Sequence, residues 1–254
     1  MSERVPRRVL LALFNRLYRR FGPQHWWPAQ TKFEVIIGAI LTQNTNWKNV
    51  EKAIRQLKSA DVLNVQALQK ISVRKLAALI KPAGYFNIKA VRIKNFIHFF
   101  MTEYNGQINV MGREETVLLR QKLLSVNGIG PETADSILLY ALDKPVFVVD
   151  AYTRRMLSRH NLIDAGGDYH AIQAFFMNNF SSHAGKYNEF HALIVNLGKH
   201  FCRPQAICGQ CPLNNLHYSL QEKCSFCHRA LLKEEARIKM PQGYRCSHCR
   251  NKAP

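Results

Sequence analysis

Four cysteines near the end of the chain, Cys224, Cys227, Cys246 and Cys249, form two Cys-x2-Cys pairs separated by eighteen residues. Two such knuckles present four thiolates to one ion, the pattern of a tetrahedral, all-cysteine zinc ribbon. Three further cysteines, Cys202, Cys208 and Cys211, precede them. An odd total of seven, all after residue 201, points to metal rather than to disulfides. A second chemistry lies upstream, where the turn Gly128-Ile129-Gly130 separates the apolar helix end Leu123-Leu124 from a new helix opening at Pro131. Backbone N–H groups from Gly128 through Glu132 and Thr133, aided by the second helix's dipole, can seat a phosphate without reading base sequence. Eighteen residues beyond Glu132 stands a lone carboxylate, Asp150, after the apolar run Val146-Phe147-Val148-Val149. Trp26 and Trp27 are adjacent, and neighbours on a regular element point opposite ways, so at least one of these indoles should face a site rather than the core.

The elements that must carry these groups are helices. Apolar residues at Val9, Leu13 and Leu17, and at Leu10, Phe14 and Phe21, recur at helical spacing, and Gly22-Pro23 closes that segment. The same period runs through 33–41, 50–57, 76–80 and 88–100, whereas strand-like alternation is scarce. The expected fold is therefore mainly α. Propensity alone makes 146–149 a strand. We read it as an extended entry into a helix over 151–158, for which Asp150 is a good N-cap. After Cys211 the periodicity weakens, which places a domain boundary near residue 217.

A chain of 254 residues, 47% of them hydrophobic, can bury a real core in one large domain or two interleaved ones. Lys and Arg total 36 against 17 Asp and Glu, a net charge of +19 spread along the sequence. Such a surface suits a polyanion, with affinity that falls steeply as salt rises. Arg4, Arg7 and Arg8 precede only a short apolar run, so no signal peptide is visible. No stretch approaches the roughly 20 apolar residues of a membrane helix. A soluble, cytoplasmic chain, held at the nucleoid by DNA and with no membrane partner, is expected.

The stretch from Leu123 to Leu157 resembles the helix-hairpin-helix and Gly/Pro-Asp signature of the endonuclease III superfamily of DNA glycosylases. Phe190-His191-Ala192-Leu193-Ile194-Val195, followed by Gly198 and Cys202, is similar to the helix that leads into that family's iron-sulfur loop. Trp26-Trp27-Pro28, Leu41-Thr42-Gln43-Asn44-Thr45 and Pro82-Ala83-Gly84-Tyr85 resemble the 3-methyladenine DNA glycosylase branch. The resemblance implies a two-domain helical fold with double-stranded DNA carrying a damaged base bound across its cleft. It divides the chain into an N-terminal helix at 1–28, a six-helix barrel with the hairpin at 29–134, a helical domain ending in the iron-sulfur-type loop at 135–217, and the ribbon at 218–254. A monomer is expected.

In that family the aspartate at the position of Asp150 is required for base excision. Breaking an N-glycosidic bond builds positive charge on the sugar, which a nearby carboxylate stabilises in the transition state more than in the ground state. Members that also cut the strand carry a Schiff-base lysine in the hairpin. Here that position is Glu132, so hydrolysis should stop at an abasic site. By resemblance Trp26, Trp27, Pro28 and Trp47 line the pocket for the flipped base, and Gln43 fills the gap left in the duplex. A cationic alkylated purine gains a cation-π term over such rings. The branch can carry a pocket lysine near Leu193, which this chain lacks. Cys202, Cys208 and Cys211 resemble the first three ligands of the family's [4Fe-4S] cluster, with His217 or Cys224 as the fourth. The ribbon is basic and should add DNA contact. A glycosylase for an oxidised, deaminated or mismatched base, or a non-catalytic DNA-binding protein, are the alternatives the sequence leaves open.

Overall fold

The computed structural model describes residues 4–160, 162–163, 166–214 and 216, with four short strands beyond them, and side chains between residues 7 and 216. His217, Cys224, Cys227, Cys246 and Cys249 lie outside the described residues. The chain divides into two compact units, one of residues Trp27–Val146 and the other of Met1–Trp26 with Phe147–Pro254. The boundary expected at 134/135 thus falls at 146/147, and the one at 28/29 falls at 26/27. The reason is packing: Ile137 to Leu142 continue the second hairpin helix and are buried against the helices of the first unit.

In the unit of residues 27–146 the helices are α2 (Lys32–Thr42), α3 (Trp47–Ser59), α4 (Val65–Lys70), α5 (Val73–Leu79), α6 (Phe86–Tyr104), α7 (Ile108–Arg113), α8 (Thr116–Ser125) and α9 (Pro131–Ser136). A π-helical turn, Ile137–Ala141, continues α9. Side chains of Thr31, Asn46, Asn64 and Ser72 accept backbone N–H groups and start α2 to α5, each satisfying a donor the first turn leaves open. Helix α2 is the hub. Its residues 33–41 are all buried, because α3, α6, α9 and the π-turn surround it. A helix covered all round needs no polar face, so every residue from 33 to 41 can be buried.

A cation is buried in this unit, Lys89 of α6, 1% exposed. Its ammonium donates to the carbonyls of Leu41 and Ala83, both at 2.7 Å. Leu41 lies in the last turn of α2 and Ala83 ends the 3-10 turn Lys81–Ala83, where carbonyls lack helical partners. Burial, together with the neighbouring Arg92 charge, pushes the Lys89 pKa down to about 8.

The other unit comprises α1 (Arg4–Phe21), α10 (Ala151–Arg159), α11 (Tyr169–Asn179) and α12 (Ala184–His200). Leu10, Leu13 and Leu17 of α1 are fully buried, since α1 packs on α11 and α12. Aromatic rings fill the centre: Phe147 stacks on Phe176 at 3.7 Å, and Phe190 meets Phe14 and Phe176 edge-on at 5.4 Å. Residues 146–149 are buried and join neither a helix nor a sheet. Beyond Leu216, β1 (Tyr218–Lys223) pairs antiparallel with β2 (Ala230–Leu232), and β3 (Ile238–Met240) with β4 (Gly243–Arg245). No described helix is long and apolar enough to cross a membrane.

Replacing Lys89 by Met keeps the hydrocarbon stem but strips two buried carbonyls of their donor, so the variant should lose about 2–4 kcal/mol. Urea denaturation measures this, and a loss below about 0.5 kcal/mol would mean the two bonds do not hold the helix ends.

Candidate active site

Asp150 begins α10. Its Oδ1 accepts from the Thr153 N–H at 2.7 Å, the bond of an N-cap, so the carboxylate sits at the positive end of the helix dipole. The run before it is tied down on both sides. Gln173 donates from Nε2 to the Phe147 carbonyl at 2.8 Å, and the Tyr169 hydroxyl accepts from the Val149 N–H at 3.4 Å. Two buried backbone groups of a run without strand partners are thereby satisfied. Its side chain keeps 12% exposure.

The second carboxylate oxygen lies 3.6 Å from Nε2 of His191, a buried residue of α12. At that separation the two side chains attract each other. Burial works to raise the Asp150 carboxyl, but His191 and the Thr153 N–H outweigh it and hold the group below its ordinary value of 3.8. Asp150 is therefore an anion at neutral pH. His191 is the residue that sequence reasoning did not single out. Its one signal is a titratable side chain inside the otherwise apolar run 190–195.

The hairpin joins α8 to α9. Gly128 holds φ +96°, and a Cβ there would stand 2.2 Å from Cγ of Arg92, so only glycine fits. Of the residues expected to seat a phosphate, Gly130 and Glu132 are exposed at the start of α9, where no side chain caps the first turn. Ile129 and Thr133 face inward instead. The Ile129 N–H is spent on the Val126 carbonyl at 2.9 Å, and the Thr133 hydroxyl accepts from Gln43 Nε2 at 2.9 Å. Gln43 also donates to the Gly128 carbonyl at 3.0 Å and accepts from Arg92. Arg120 clamps the buried Asp135 with two bonds, at 2.6 and 3.0 Å, and so ties α8 to α9.

Trp27 and Trp47 share one unit. Trp27 meets Trp47 edge-on with ring centres 5.0 Å apart, lies 5.0 Å from the Tyr140 ring and rests on Gly38. With Pro28 these two indoles line a cavity of about 160 Å³ within their unit. Trp26 belongs to the other unit, where Lys199 Nζ stands 5.3 Å over its ring. Leu193 is fully buried in α12.

Cys202 is buried, and Arg159 donates to its Sγ at 3.4 Å and to the carbonyls of Arg203 and Pro204 at 2.6 and 2.8 Å. Burial pushes the Cys211 thiol up, and Cys202 and Cys208 push the same way. Thiol donors beside a guanidinium suit an iron ligand chemically. Among the described residues, however, no three His, Cys, Asp or Glu side chains are arranged to hold a metal.

A two-glycine hairpin is thus followed, eighteen residues beyond Glu132, by an aspartate that caps a helix. The model of the HhH-GPD superfamily of base excision DNA repair proteins matches residues 37–182. The chain belongs to that superfamily and is a DNA glycosylase of the endonuclease III type. A Methanocaldococcus jannaschii protein named as a DNA repair glycosylase is 47% identical over 207 residues, 81% of this chain and 94% of its own. The Helicobacter pylori 3-methyladenine DNA glycosylase bound to 1,N6-ethenoadenine matches at 31% identity and TM-score 0.65, over 76% of this chain and 97% of that one. An endonuclease III trapped covalently on DNA shares the fold at 19% identity and TM-score 0.71, covering 82% and 93%.

Because the Asp150 pKa is lower folded than unfolded, its charge stabilises the fold above the ordinary carboxylate range, and the contribution is lost as pH falls through the folded value. Asp150→Asn keeps the cap, so its deficit against wild type should shrink as pH falls below about pH 4. Asp150→Ala should lose about 1 kcal/mol more at every pH. Urea denaturation between pH 3 and 7 reads both, and equal Asn and Ala stabilities would contradict the capping role.

Proposed function

We propose that this glycosylase is monofunctional and removes alkylated purines such as 3-methyladenine from double-stranded DNA, with Asp150 as the catalytic carboxylate. The observation that carries the reading is a single anion, fixed by a helix N-terminus and by His191, that keeps a little exposure in an otherwise buried stretch. Such a group can stabilise the cationic deoxyribose that forms as the glycosidic bond breaks. Alkylation at N3 or N7 makes the purine itself a cation and a good leaving group, so no general acid is needed. What the protein must add is a grip on the extruded base, and Trp27, Pro28 and Trp47 offer aromatic faces worth roughly 1–3 kcal/mol per stacked base. The likeness to the H. pylori enzyme favours the same substrate class.

Glu132 supports the monofunctional assignment, because a carboxylate exposed at the hairpin cannot form an imine with the sugar. Gly128, Gly130 and the start of α9 are assigned to the DNA phosphates, and Gln43 to the gap. Cys202, Cys208 and Cys211, completed by His217 or Cys224, are assigned to a [4Fe-4S] cluster, and the two terminal Cys-x2-Cys pairs to zinc. No step of base release is routed through either metal. The protein is taken to act as a monomer.

Duplexes each carrying one lesion (3-methyladenine, 7-methylguanine, 8-oxoguanine, uracil or a mismatched thymine) test the activity with and without alkali. The wild type should release methylated purines and break the strand only after alkali, whereas Asp150→Asn should bind the same DNA and release nothing. Strand breakage without alkali, or release by the Asn variant, would overturn the assignment. Protein prepared anaerobically should be brown and should hold iron with about one zinc per chain; elemental analysis that finds no iron refutes the cluster.

A further inference from the structure

The Trp47 indole N–H donates to Glu51 Oε1 at 2.8 Å. Both residues belong to α3, one turn apart, so the carboxylate is carried on the same helix face as the ring it touches. Both also line the cavity that holds the edge-on contact of Trp27 with Trp47. The cavity's other carboxylate, Glu34, is matched by Lys58 at 2.9 Å. Among the described residues Glu51 makes no salt bridge, and its Oε1 is aimed at the indole. A hydrogen bond to an ionised acceptor is stronger than a neutral one and polarises its donor. Negative charge drawn toward the indole N–H leaves the ring face richer in electrons, and the attraction of a cation to an aromatic face grows with that density. A neutral base stacks by dispersion and apolar burial, which the carboxylate scarcely alters.

We infer that Glu51, through its bond to Trp47, is a specificity-determining residue that tilts this aromatic wall toward cationic bases. The inference rests on the assignment of Trp47 to the base pocket. It goes beyond that assignment by placing charge discrimination in a residue that need not touch the base.

The test compares release of methylated purines, which are cations, from dimethyl sulfate-treated duplex with release of the neutral base 1,N6-ethenoadenine from a single-lesion duplex. It uses wild type, Glu51→Gln, Trp47→Phe and the double variant. Glu51→Gln keeps an acceptor for the indole but removes the charge, so the cationic-to-neutral rate ratio should fall by about threefold or more. In Trp47→Phe the ring has no N–H to polarise, and adding Glu51→Gln should leave the ratio unchanged. A Glu51→Gln variant that slows both substrates equally would show an ordinary surface bond of the helix and overturn the proposal. A ratio that still shifts in the Trp47→Phe background would overturn it too, since the carboxylate would then act directly. Wild type inactive on both duplexes defeats the functional assignment itself, a result distinct from an active enzyme whose ratio does not respond.

Discussion

A carboxylate that must remain charged while almost out of water constrains one whole unit of this molecule. Desolvation alone would drive Asp150 toward its protonated form. Three local features oppose that drift: the first turn of α10 at its Oδ1, the imidazole of His191 near its Oδ2, and the rigid delivery of residue 150 by the extended run before it. The first and the third are coupled. The helix turn needs Asp150 in an extended conformation at its N-cap, and that backbone depends on Phe147 lying flat on Phe176 and on Gln173 satisfying a carbonyl that no sheet partner reaches. The aromatic centre of the unit is thus part of the carboxylate's electrostatics.

The unit that holds the hairpin solves a different problem, the ending of a fully buried helix. The last carbonyls of α2 face protein rather than water, and Lys89 supplies the donors they lack. Two residues further, Gln43 turns the chain toward the hairpin and is held there by Thr133, Gly128 and Arg92. Arg92 fills the space that a side chain at Gly128 would need. One residue, Gln43, therefore registers the end of α2 against the turn, so the geometry of the glycines is set as much by α2 and α6 as by their own φ angles.

Local signals carried much of this into the sequence. The 3.6-residue period gave the helices flanked by solvent, Asp150 followed by a polar first turn marked an N-cap, and the two-glycine motif marked the hairpin. What stayed hidden depends on contacts between distant residues. His191 sits forty-one positions from Asp150 inside an apolar run, where a lone histidine reads as core. Lys89 looks like the solvated face of α6 until the ends of α2 and the 3-10 turn are seen to converge on it. Trp26 and Trp27 read as one aromatic pair, but the peptide bond between them is where the chain passes from one unit to the other. The Thr133 hydroxyl takes a bond from Gln43, ninety positions away, which its place in the hairpin does not announce.

That passage at Trp26, and the return at Phe147, make the hairpin unit an insertion within the other. Helix α1 leaves the ribosome early with Leu10, Leu13 and Leu17 exposed, yet its partners α11 and α12 are synthesised only after the inserted unit is complete. Closing such a distant contact is slow unless the intervening chain has already collapsed and brought its ends together. Collapse of the inserted unit shortens that gap, and the apolar face of α1 stays without its partners until α11 and α12 have been made.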